Sequence, residues 1–215
     1  MNRKIVWVCL FAIAFALVES AVVVYLRALY YPGGFAFPLK PMSDTHRIVE
    51  LARESATIIM LVAVGAVNGT DTWEQFGYFM IAFGVWDIFY YCWLKVFLNW
   101  PRSILDPDIL FLLPLPWIGP VLVPVLVSLL MIAAGMRIIR SIERTGHFHP
   151  PAMAVVLSSL ASFLLLYTFM FDLDATIRFQ PPHPYPYVLM IFSFLLYVVA
   201  FILAFRSRGH ATRRI

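Results

Sequence analysis

The stretch "FGVWDIFYYCWLKV", residues 83–96, places an acid and a base inside a run of aromatic and aliphatic side chains. The run extends back to about residue 74 and on to 98. At ~1.5 Å per residue such a helix is ~37 Å long, enough to cross a ~30 Å hydrocarbon core. A charge at the centre of a bilayer costs ~2.5–3.5 kcal/mol on insertion scales. Asp87 must therefore face other helices and not lipid. Lys95 lies near the end of the run, where its long stem lets the ammonium reach the interface.

The rest of the chain repeats this pattern. Of 215 residues, 62% are hydrophobic and 13% charged. Soluble domains run ~45–50% apolar and ~25% charged. A soluble fold of this length has no interior large enough to hide the excess. Six apolar segments, at 5–30, 47–67, 74–98, 117–139, 152–172 and 185–205, predict six transmembrane helices. Connections rich in Pro, Gly, Asn and Asp separate them, such as "YPGGFAFPLKPMSD" (31–44), "NWPRSILDPD" (99–108) and "QPPHPYP" (180–186). The expected fold is all-α, a polytopic helix bundle forming one integral membrane domain over 1–215. The first apolar run is too long for the core of a signal peptide and reads as an uncleaved span.

Six spans put both termini on one side. That side carries nine of the 16 Lys+Arg, among them Arg3, Lys4, Arg137, Arg140 and Arg144. Basic residues collect on the cytoplasmic side, so the termini are expected there. The expected location is a bacterial cytoplasmic (inner) membrane.

The polar residues within the spans are concentrated toward the opposite, outer side. Glu19 and Asp87 each lie 11 residues before the outer ends of their helices, ~16 Å deep. Each precedes a base by eight residues: Glu19 with Arg27, and Asp87 with Lys95. In "RIVELARESAT" (47–57), Arg47, Glu50, Glu54 and Thr57 fall on one helix face. Glu50 and Glu54 are i,i+4 neighbours, and two like charges there require a proton, a cation or an arginine between them. Tyr91 shares a face with Asp87, and Tyr90 flanks it. These patterns give two sets of candidates. Glu19, Glu54, Asp87 and Tyr91 are candidates for acid/base chemistry or metal ligation. Arg27, Arg47, Glu50, Arg53, Tyr90 and Lys95 are candidates for substrate contacts, with the bases forming a collar for a head group. The segment "DPDILFLLPLPWIGPVLVPVL" (106–126) holds several prolines, which predict a broken or re-entrant start to the fourth span. Asp106 and Asp108 are expected to be exposed, and Asp172 and Asp174 to mark the outer end of the fifth span.

Several chemistries find no motif. The two cysteines, Cys9 and Cys92, stand alone in separate apolar runs. The five histidines lie in loops and the tail, which argues against haem ligation within the bundle. No nucleotide-binding loop or hydrolase motif occurs, and nothing suggests a nucleic-acid partner. The cofactor and any metal are left open. "ELARESAT" (50–57) resembles the paired-glutamate element of the undecaprenyl-pyrophosphate phosphatases, a family of polytopic lipid phosphatases. That family's Pro-Gly-x-Ser-Arg-Ser loop is absent, so no activity is carried over.

Three functions fit these observations. The first is an outward-facing site for binding, or acid/base chemistry on, a lipid-like or amphipathic anionic molecule. The second is an accessory subunit of a membrane complex, or a homo-oligomer, whose charges form an ion network. The third is a proton-coupled transporter.

Overall fold

The computed structural model describes residues 3–112, 116–171, 173, 178, 180 and 183–206. Six long helices are formed among them: α1 (Arg3–Tyr30), α2 (Asp44–Asn68), α3 (Thr72–Leu98), α4 (Leu122–Thr145), α5 (Ala152–Phe169) and α6 (Tyr187–Arg206). Five of these, all but α2, are long and apolar enough to cross a membrane. The six-span expectation is thus met by six helices but by five such spans. The first half of α2 explains the difference, because it carries Asp44, Arg47, Glu50, Arg53 and Glu54.

Helix ends follow local chemistry. The Ser43 side chain accepts a hydrogen bond from the His46 N–H and so caps α2. The Asp71 carboxylate accepts the N–H groups of Trp73 and Glu74 at 2.8 and 3.1 Å and caps α3. These caps satisfy donors that a helix start leaves free. α4 stops at Gly146, whose φ of +78° suits a residue without Cβ.

α3 is the hub, packing along α1, α2 and α4. Between α1, α3 and α4 lies the larger core, with Val8, Ala12, Tyr78, Ile81 and Ile139 buried. Small residues bring α3 and α4 together, as is common where lipid gives no hydrophobic drive. A Cβ on Gly135 would stand 2.5 Å from the Gly77 carbonyl oxygen, and one on Gly84 would stand 2.6 Å from that of Ser128. α5 and α6 pack on each other. They meet the rest through a second core of Val123, Leu165, Phe169 and Met190.

Contacts gather alternate helix ends. Lys4 donates to the Asn68 carbonyl at 2.8 Å. Phe148 packs on both Trp73 and Phe205. The start of α1 and the end of α6 therefore lie at the same end of the bundle as the α2–α3 and α4–α5 turns.

The break expected at the start of the fourth span takes the form of a strand, and the helix begins at Leu122 and not at 117. Residues 117–120 are not helical. They form strand β2 (Trp117–Pro120), antiparallel to β1 (Pro107–Phe111). Pro107 and Pro120 face each other at the open end, where a missing N–H does little harm. Pro124 falls in the first turn of α4, where its N–H would have no helical partner anyway. The fifth helix ends at Phe169 and not at 172. Asp172, Asp174 and Pro114 lie outside the described residues.

Candidate functional site

One cavity of about 390 Å³ opens between the helices and the hairpin. Every helix and both strands contribute to its wall. Most of the lining is apolar or aromatic, including Phe83, Trp86, Trp117, Phe169 and Tyr197. Eight of the candidate residues line it: Glu19, Arg27, Glu50, Arg53, Glu54, Asp87, Tyr90 and Tyr91. Arg47 and Lys95 do not line it. Arg47 is exposed and pairs with Asp44 at 2.7 Å. Lys95 is exposed and donates to the Pro101 carbonyl at 2.9 Å.

The matched spacing of Glu19–Arg27 and Asp87–Lys95 hides a difference. Arg27 turns inward and Lys95 turns outward. The Arg27 guanidinium bonds Asp108 Oδ1 at 3.0 Å and stacks on Trp100 and Phe35, with its central carbon 3.8 and 4.4 Å from the ring centroids. A planar guanidinium can lie flat on a ring and still donate from its edge. Asp108 is thus buried, at 2% exposure, contrary to the exposed position expected from its loop. β1 carries it beneath the aromatic cluster. Outside the spanning helices, burial pushes the Asp108 carboxyl up to about 6, against the pull of Arg27 and the Ile109 backbone N–H. Asp106, by contrast, is half-buried and accepts the backbone N–H groups of Arg102 and Ser103.

Arg53 joins two carboxylates. It pairs with Glu19 across the α1–α2 interface and with Glu50 at 2.9 Å one turn away on α2. The Thr57 hydroxyl donates to the other oxygen of Glu19 at 2.6 Å. Glu50 and Glu54 are both buried on this face. Glu54 accepts the Leu112 backbone N–H with both oxygens, at 3.0 and 2.9 Å. That bond fastens the end of β1 to α2.

Asp87 differs from Glu19, Glu50 and Asp108, each of which pairs with an arginine. Asp87 is 8% exposed, and its Oδ2 accepts the Ser128 hydroxyl of α4 at 2.8 Å. Among the described residues, no ion pair includes Asp87. Tyr90 and Tyr91 stand on the same wall, with ring centroids 5.1 Å apart.

Among the described residues the lining holds five acids, namely Glu19, Glu50, Glu54, Asp87 and Asp108, against three bases, Arg27, Lys40 and Arg53. Sequence reasoning had no handle on Asp108 or Ser128. Each meets its partner from far along the chain, and neither lies in a motif. Among the described residues, no group of three His, Cys, Asp or Glu is placed to hold a metal ion. Buried polar atoms without a hydrogen-bond partner gather here too. Trp86 Nε1, Asp108 Oδ2 and Trp117 Nε1 all belong to lining residues. Unsatisfied buried groups cost stability and often mark a site kept for another reason. Comparison with protein-family models, curated proteins and solved structures finds no match for this chain.

Proposed function

We propose that this multi-pass membrane protein binds a lipid-like, amphipathic molecule in its 390 Å³ cavity. The observation that carries the reading is an aromatic-walled chamber of ligand size, with buried carboxylates among its lining residues. Binding pockets commonly measure ~300–1,000 Å³, mostly apolar with a few placed polar groups. In this proposal α2 also crosses the membrane, because Glu50, Glu54 and Thr57 turn inward and are buried. The ends that gather at Lys4 and Phe205 face the cytoplasm of an inner membrane, as the basic residues suggest.

An anionic head group has less support than the sequence suggested. Arg27 and Arg53 line the cavity but already serve Asp108, Glu19 and Glu50. The ion network of Glu19, Arg53 and Glu50 also favours a second reading, an accessory subunit whose charges order the bundle.

Dodecanol binding separates the two. Purified protein in nanodiscs is dialysed to equilibrium against labelled dodecanol, with empty nanodiscs as the partition control. Binding that saturates at one per chain, and is lost when Val127→Trp fills the cavity, supports the pocket. No saturable component would favour the accessory reading.

A further inference from the structure

We propose that the head group bound in this cavity is a cation, an alkylammonium, and that Asp87 receives it. The inference rests on the pocket reading above and specifies the ligand class.

Four of the five lining carboxylates are engaged by the protein more fully than Asp87 is. Glu19 is held on one oxygen by Arg53 and on the other by Thr57. Glu50 is held by Arg53. Both oxygens of Glu54 accept the Leu112 N–H. Asp108 pairs with Arg27 through Oδ1, so its charge is already balanced although Oδ2 has no hydrogen-bond partner. Asp87 has one neutral donor, the Ser128 hydroxyl on Oδ2, which leaves Oδ1 without a protein partner. Its side chain is more than nine-tenths buried and lines the cavity.

A carboxylate at that depth needs a positive partner or a proton. The two arginines among the described lining residues are committed to other acids. Lys40 is exposed at the rim, its Nζ 5.4 Å from the Tyr31 ring centroid. The surroundings of Asp87 also suit an ammonium. Trp86, Tyr90 and Tyr91 line the same wall, and aromatic faces attract cations. An alkyl chain continuing from the head group would meet Val127, Met131 and Leu165. An anion placed there would face an excess of acids, and like charges in low dielectric repel strongly.

The test uses three probes of one chain length: dodecylamine, dodecanol and dodecanoate. Each is titrated into the full-length protein in nanodiscs at neutral pH, and its saturable binding is measured above the empty-disc partition. Wild type is expected to bind the amine at least tenfold more tightly than the alcohol, and the carboxylate most weakly. In Asp87→Asn the amine-to-alcohol ratio should fall to near one. Equal binding of amine and alcohol by wild type overturns the inference yet leaves the pocket standing. So does preference for dodecanoate, or an amine preference that survives Asp87→Asn. Binding of none of the three is instead the failure of the pocket itself. Where Asp87→Asn does not yield folded protein, the wild-type ratio decides. It is then measured again in Val127→Trp, where an undiminished amine preference places the amine outside the cavity and overturns the inference.

Discussion

The Ser128 hydroxyl of α4 reaches Asp87 of α3 at 2.8 Å, one helical turn from the point where Gly84 lets the two backbones touch. The hydrogen bond depends on that close approach. It is also the link between the candidate site and the main packing interface. Hydrogen bonds to a charged group contribute ~1.5–3 kcal/mol, and those to a neutral one about 1 kcal/mol. Ser128→Ala is expected to destabilise the bundle by about 1–2 kcal/mol, read as a lower thermal midpoint in detergent. Ser128→Thr, which keeps the hydroxyl, should lose less than the alanine variant.

Arg53 neutralises Glu19 and Glu50 together. Removing one partner of a buried ion pair strands the other, at a cost of ~3–5 kcal/mol. Arg53→Met should therefore sharply reduce folded yield. Glu19→Gln introduced on top of Arg53→Met should recover part of the loss. A double-mutant cycle on thermal midpoints checks this, and strict additivity would contradict the network.

Asp108 gives a pH signature. Its folded carboxyl titrates at about 6, above the ordinary ~3.9, because burial outweighs the pull of Arg27. An acid raised on folding holds its proton more tightly in the folded state. Its contribution to stability is full below about pH 4 and is lost as the pH rises through 6. Asp108→Asn should flatten that part of the midpoint-against-pH curve between pH 4 and 6.

Gly135 and Gly33 offer a matched contrast. A Cβ at Gly135 would press on Gly77 and Ile81, whereas one at Gly33 meets nothing within 4 Å. Gly135→Ala should lower stability by ~1–3 kcal/mol through overpacking of α3 against α4. Gly33→Ala should leave the midpoint within about 0.5 kcal/mol of wild type.

Five of the helices were legible as long apolar runs bounded by turn residues, and the place of Glu19 and Asp87 well inside two of them could be counted from the ends. Their inward orientation followed from the cost of exposing charge to lipid. The hairpin was not legible. Residues 117–120 are as apolar as the span they precede, and hydropathy alone cannot divide "PWIGPVLVPVL" (116–126) into strand and helix. Pairing of Ile109 with Ile118 makes the division, and that pairing is a tertiary event. The same is true of Arg27, whose partner Asp108 is 81 residues away. A spacing of eight suggested that Arg27 and Lys95 were equivalent. Local periodicity could not show that one of them had an acid and two rings waiting for it.

The hairpin holds two halves of the protein in one grip. β1 is bound to α1 through Asp108 and to α2 through Leu112, while Trp117 of β2 stacks on Phe169 of α5, with centroids 6.1 Å apart. α5 and α6 are joined to each other by the Ser162–Tyr197 hydrogen bond at 2.8 Å, and they touch α4 only lightly. They make a leaf hung beside a firm four-helix block, with β2 as its latch. Without β2, little would tie α5 and α6 to the other four helices.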